Sequence, residues 1–137
     1  MAGYSGTPLL KKLGVKEGSQ IAVINAPAQL PEELQGFPKA IRGELDFALL
    51  FLKSQAELKR DYAKVAARML ADGMFWIAWP KKASGVATDL TEDVIRNFAL
   101  NTEFVDVKVC AIDETWSGLK LVIRKEHRAA RSKAVGQ

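Results

Sequence analysis

Six residues of this chain have types and positions suited to chemistry: Asn25, Lys81, Lys82, Ser84, Asp113 and Trp116. Each follows an apolar run or sits in the turn between two such runs. Lys81 and Lys82 beside the start of a helix would favour an anion, because ammonium charge and the unpaired amides of a helix N-terminus add their fields. The same pair also suits a solvated loop. Asp113 next to Glu114 fits a carboxylate pair for acid–base work, or an ordinary charged turn. Trp116 suits stacking on a ligand, or anchoring that turn against a sheet. Lys53 and Ser54 close a further apolar run, and Ser54 reads first as a helix cap. His127, the only histidine, has no nucleophile or metal partner near it in sequence. Cys110 is the only cysteine, so neither an intrachain disulfide nor a multi-cysteine metal site can form. These residues specify no catalytic constellation, no metal site and no cofactor.

The elements that must position them follow from periodicity. Thr7 as N-cap, Pro8 at the first helical position and Gly14 as the stop predict a short helix with Leu9, Leu10 and Leu13 on one face. The run from Gln20 to Asn25 has strand length. Residues 30–36 suggest a short helix and 40–42 a brief extended piece, broken up by Pro31, Gly36, Pro38 and Gly43. From Asp46 to Leu52 nearly every position is apolar, the pattern of a strand covered on both faces. Ser54 and Glu57 then form a capping box, with the glutamate expected back on the serine amide. Leu58, Tyr62, Val65 and Met69 mark the buried stripe of the helix that follows, which Asp72 and Gly73 should end. Met74 to Trp79 is a second central strand, so these segments predict a βαβ unit with parallel strands. Asp89 with Glu92 starts a helix that runs to Leu100. Val105, Val107, Val109 and Ala111 alternate with polar neighbours in the manner of a sheet edge, and a turn at 113–118 leads into Leu119–Arg124 as the second strand of a hairpin.

Composition bounds the class of protein. At 137 residues, with 48% hydrophobic and 26% charged residues, the chain fits one globular domain with a real core. Residues 1–126 are expected as the α/β domain and 127–137 as a basic tail. The net charge of +4 is matched by the segment from Arg124 to Gln137, which has five basic residues against Glu126, so the body is neutral. Without interleaved aromatics that segment reads as a solvated terminus, and nucleic acid is disfavoured as a partner. No apolar stretch approaches the roughly 20 residues of a membrane helix, and the N-terminus has no signal-peptide pattern, which places the chain in the cytoplasm.

The expected fold is α/β, three layers around a mostly parallel sheet that closes with an antiparallel hairpin. This order of elements resembles a trimmed methyltransferase-like Rossmann fold, most of all its second half. The resemblance implies a nucleotide site after the first strand, but the residues there are Asn25, Ala26, Pro27 and Ala28, without the glycines that bring backbone close to a ligand. The segments WPKKASG, TDLTED and KVCAIDETWSGL, with the opening AGYSGTPLLKKLG, resemble a family of small bacterial proteins known as a domain of unknown function. That resemblance covers residues from about 2 to 126 and implies a bacterial source and a stand-alone domain, but no activity.

Open parallel sheets bind ligands outside the carboxyl ends of their strands, and the expected topology sends Asn25, Lys81, Lys82, Ser84, Asp113 and Trp116 to that edge. A non-catalytic or regulatory domain holding a small anionic molecule there is the first reading. A divergent methyltransferase-like enzyme and a protein–protein assembly module are the alternatives, and a homo-oligomer is compatible with each. The turn after the first strand yields a prediction: S-adenosylmethionine does not bind. Isothermal calorimetry checks it, and saturable binding with a micromolar Kd would show that another part of the edge replaces the glycine loop.

Overall fold

Side chains on both faces of the run from Asp46 to Leu52 need cover, and this requirement organises the chain. A computed structural model, which describes residues 8–135, makes the run strand β2 (Leu45–Phe51), buried throughout except at half-buried Asp46. Parallel strands flank it. On one side lies β1 (Ile21–Ile24), with Ile21 opposite Phe47 and Ile24 opposite Leu50. On the other lies β3 (Met69–Pro80), with Phe47 opposite Met74 and Phe51 opposite Ala78. Next to β3 runs the antiparallel strand β5 (Trp116–Ile123), and β4 (Phe104–Ala111) pairs antiparallel with β5 at the sheet edge. The order is β1-β2-β3-β5-β4, and β5 alone opposes the direction of the other four.

One face carries helices α2 (Gln55–Ala66) and α3 (Glu92–Leu100). Leu58, Tyr62 and Val65 from α2, with Ile95 and Ala99 from α3, pack on Ala48, Leu50, Phe75, Ile77, Phe104 and Leu121 of the sheet. Tyr62 is central, its ring 5.2 Å from Phe75 and 4.9 Å from Phe98, while Phe75 and Phe104 meet edge-on at 5.5 Å. Such aromatic pairs add about 0.5–1.5 kcal/mol each beyond the area they bury. The Tyr62 hydroxyl shares a 2.9 Å hydrogen bond with Thr102, and burial pushes its pKa up to about 12.

The opposite face carries less. Helix α1 (Leu9–Leu13) and a 3-10 turn, Glu32–Leu34, lay Leu9, Leu13, Leu30 and Leu34 over Val23, Phe47, Leu49, Phe51 and Trp76. Gly14 ends α1 at φ 86°, a left-handed conformation that glycine adopts without steric cost. The buried indole Nε1 of Trp76 donates to the Leu13 carbonyl at 2.9 Å, so an orphan acceptor of the helix end and an orphan donor of the core satisfy each other. The expected cap Thr7 lies outside the described residues.

Three local expectations change. Helix α2 ends at Ala66, and Met69, which continues its buried spacing, begins β3 instead. The pairing jumps from Leu45–Met69 to Phe47–Met74 across a bulge, where a Cβ on Gly73 would lie 3.1 Å from the Leu45 and Leu70 carbonyl oxygens, so Gly73 serves close backbone approach within a strand. Helix α3 is capped by Thr91, whose hydroxyl accepts from the Val94 amide at 3.2 Å. Asp89, expected in that role, accepts from the Gln55 amide at 2.8 Å and thereby caps α2.

The third change concerns the basic segment, which forms helix α4 (Lys125–Val135) and docks on the body. Arg131 Nε donates to the Met69 carbonyl at 2.9 Å, its Nη2 donates to the Ala66 carbonyl, and Glu103 lies 3.5 Å from Nη1. Ala66 is the last residue of α2, so the guanidinium occupies the negative end of that helix. Arg131→Ala should therefore lower unfolding free energy by about 1–3 kcal/mol, the cost of leaving partly buried acceptors unpaired. Urea denaturation measures this. A change within about 0.5 kcal/mol, the size of an ordinary surface substitution, would mean that the docking contributes nothing.

Candidate site at the carboxyl edge of the sheet

Strand β1 leaves the sheet through Asn25 at φ 59°, the one residue other than glycine with positive φ among the described residues. Asparagine tolerates the left-handed region better than other side chains of its size. Its Nδ2 donates to Asp61 Oδ2 at 3.0 Å, which ties the exit of β1 to the middle of α2. Pro27 disfavours helical geometry at the preceding residue, Ala26.

Next to it, β2 passes into α2. Ser54 Oγ accepts from the Glu57 amide at 3.1 Å, as the capping box requires, and Glu57 Oε1 reaches back to the Lys53 amide at 2.8 Å. The expected target was the Ser54 amide, one residue further on. One turn along α2, Arg60 grips the neighbouring Asp61 with Nε at 3.0 Å and Nη2 at 2.8 Å. Lys64 approaches the same carboxylate at 3.7 Å. Asp61 is the only charged residue in the buried set of described residues. The hydrogen bonds from Arg60, and then that from Asn25, hold its pKa below the ordinary 3.8 against the opposing effect of burial.

Between these segments opens a cleft of about 420 Å³. Asn25 and the loop 26–28 form one wall, Lys53, Glu57 and Arg60 the other, and Phe51 and Trp116 line it between them. The rings of Phe51 and Trp116 meet edge-on with centroids 4.9 Å apart. A second depression of about 510 Å³ lies against the same loop, lined also by Leu30, Gln35 and Lys39. Lys53 and Arg60 face Glu57 in the first cleft, and Arg60 is also paired with Asp61, so the wall above the aromatic pair is of mixed charge with Lys53 as its unpaired cation among the described residues. Polar side chains over apolar rings are the usual make-up of a small-molecule cleft.

Of the six residues singled out by sequence, Asn25 and Trp116 share this cleft, while Lys81, Lys82, Ser84 and Asp113 do not line it. Ser84 Oγ donates to the Lys81 carbonyl at 2.7 Å and accepts from the Val86 amide at 3.1 Å, which builds the turn around the short 3-10 segment Lys82–Ser84. Asp113 Oδ1 accepts from the Thr115 and Trp116 amides, both at 2.8 Å, and so shapes the turn between β4 and β5. Lys82 is exposed, and Lys81 is half-buried with its amide donated to the Thr115 carbonyl at 2.7 Å.

Sequence reading missed Arg60 and Asp61. A signal was present, since Asp61 falls with Leu58, Tyr62 and Val65 on the spacing of the buried stripe, where a carboxylate needs partners. Among the described residues no cluster of three or more His, Cys, Asp or Glu side chains could hold a metal ion, and no helix is long and apolar enough to cross a membrane. No protein-family model and no curated protein matches the sequence.

The lowered pKa of Asp61 fixes the sign of a pH effect. A carboxylate held below its unfolded value stabilises the fold above that value, and the contribution is lost as pH falls through the folded pKa. Between pH 7 and 2, the natural chain should lose more unfolding free energy below about pH 4 than Asp61→Asn does. Denaturant titration at each pH checks this, and parallel curves for the two proteins would contradict it.

Proposed function

We propose that this chain is a non-catalytic or regulatory domain that binds a small anionic molecule at the carboxyl edge of its sheet, in the cytoplasm. The observation that carries the reading is the cleft where β1 and β2 leave the sheet, walled by Lys53 and Arg60 over Phe51 and Trp116. Its position agrees with the general placement of ligands in open α/β sheets. Pro80 lies opposite Trp116 in the β3–β5 ladder, so Lys81 and Lys82 follow immediately and add positive charge to the same edge. The strand order, with one antiparallel strand inserted next to the last, supports a trimmed methyltransferase-like layout.

A second reading rests on β4. Val107 and Val109 are 53% and 43% exposed on this edge strand, as an assembly module or homo-oligomer would require. The bulge between Asp106 and Lys108 interrupts the strand and argues against simple edge-to-edge pairing, which leaves the cleft as the better supported site.

A thermal-shift screen of nucleotides, phosphorylated metabolites and carboxylates tests the proposal. A true ligand at a hundred times its Kd should stabilise the chain by about 2.7 kcal/mol, and Lys53→Gln should reduce that gain without changing the free protein. Amide shifts at Asn25–Ala28 and at the Trp116 indole should move with the ligand. A screen with no hit, or a hit that leaves these signals unmoved and is indifferent to Lys53→Gln, overturns the assignment.

A further inference from the structure

The sheet face that carries α1 is covered only in part. Helix α1 and the 3-10 turn lie over β1, β2 and β3. On β4 and β5 the same face presents three directly opposed pairs: Val105 with Val122, Lys108 with Lys120, and Cys110 with Gly118. Their membership of this face follows from the ladder, because Lys120 is opposite Trp76 and Gly118 opposite Ala78, both in the core beneath α1. Trp76, Lys120 and Lys108 therefore form one row across three strands. Lys108 is exposed and Lys120 half-buried.

One more lysine borders this row. Lys12 Nζ donates to the Ala111 carbonyl at 3.1 Å, and Lys108 Nζ reaches the Lys12 carbonyl at 3.5 Å, so the end of α1 is fastened to β4 through its cations. Partial burial and then the charges of Lys108 and Lys16 hold Lys120 below its ordinary value of 10.5. Among the described residues no ion pair with a carboxylate reaches Lys12, Lys16, Lys108 or Lys120. Directly opposed like charges in a sheet are destabilising, with side chains only about 4.5–5.5 Å apart at Cβ. Each ammonium has three donors, and a single carbonyl accepts only one of them.

We propose that Lys12, Lys108 and Lys120 form a binding site for a compact phosphate-type polyanion on the open sheet face, separate from the carboxyl-edge cleft. A ligand with adjacent charged oxygens accepts from the opposed lysines together and turns their repulsion into attraction. The cluster spans two strands and one helix end. Trp76, the aromatic ring next in the row, is fully buried, so this face gives no stacking platform to a single-stranded nucleic acid.

Calorimetric titration of the full chain with inorganic pyrophosphate at low salt tests the site. Saturable binding that weakens with added salt is expected, because the site is largely exposed. Lys108→Gln should raise Kd about tenfold or more, the loss of one charge-assisted hydrogen bond. Lys120→Met should abolish binding while raising the Tm of the free protein, since it removes both the repulsion and the half-buried charge; a purely structural lysine would lower Tm instead. Lys53→Gln should leave pyrophosphate affinity unchanged. No binding to the natural chain, equal affinity in Lys108→Gln, or loss of binding in Lys53→Gln would each overturn the site. Tighter binding of a single-stranded oligonucleotide through the same lysines would overturn the compact ligand in favour of a nucleic-acid surface.

Discussion

Strand β2 has no face to offer to water. Phe47, Leu49 and Phe51 point to one layer and Leu45, Ala48 and Leu50 belong to the other, so both layers must exist before the strand can be buried. Its backbone amides and carbonyls need partners on both edges as well, because an unpaired polar group in this environment costs about as much as a lost hydrogen bond. Parallel neighbours satisfy the edges, and a parallel neighbour can only be reached by a long crossover, which α2 supplies between β2 and β3. The convergence of loops at the carboxyl edge is thus a consequence of enclosing β2. Asn25 and Lys53 share a cleft there, and Lys81 leaves the sheet at the same edge, because the strands before them run the same way.

The two layers are unequal. Helices α2 and α3 reach across to β4 and β5, where Phe104, Leu119, Leu121 and Ile123 complete their core. The five residues of α1 and the short turn at Glu32–Leu34 cover chiefly β1, β2 and β3, and α1 meets the far strand β4 through Lys12 and Lys108. Trp76 marks the boundary of the thin layer. Its ring lies over Gly118, where a Cβ would come within 3.0 Å of the indole, and its N–H is fixed by Leu13. Beyond that boundary the row from Trp76 continues as Lys120 and Lys108, between the pairs Val105–Val122 and Cys110–Gly118.

How much of this was legible follows the range of the interactions. Runs buried on two faces announced β1, β2 and β3, and Ser54 with Glu57 announced the start of α2, since both signals lie within a few residues of chain. Met69 misled because helical spacing continued into a residue that β3 buries by pairing with Leu45, 24 positions away in sequence. Asp89 misled because a carboxylate three residues before Glu92 looks like a cap of its own helix, whereas the amide it accepts belongs to Gln55. Arg131 looked like solvated charge because nothing nearby in sequence reveals the carbonyls of Ala66 and Met69 that receive it. The candidate site divides likewise: Asn25 was visible as the end of a strand, but its partner Asp61 was a tertiary fact.

That partner explains how the exit of β1 is built here without a glycine loop. A nucleotide-binding turn uses glycine so that backbone amides can approach the ligand. At the equivalent place this chain has Asn25 held in a left-handed conformation by the carboxylate of Asp61, followed by Ala26 and Pro27, which narrow backbone access. Burying Asp61 in the apolar stripe of α2 is tolerable because Arg60 and Asn25 satisfy both of its oxygens. The same arrangement presents Arg60 to the cleft beside Lys53. The carboxylate therefore fixes the loop and also positions the cation. A ligand at this edge would meet charged and aromatic side chains before it met backbone, which selects for charge and shape over the amide cradle that grips a dinucleotide.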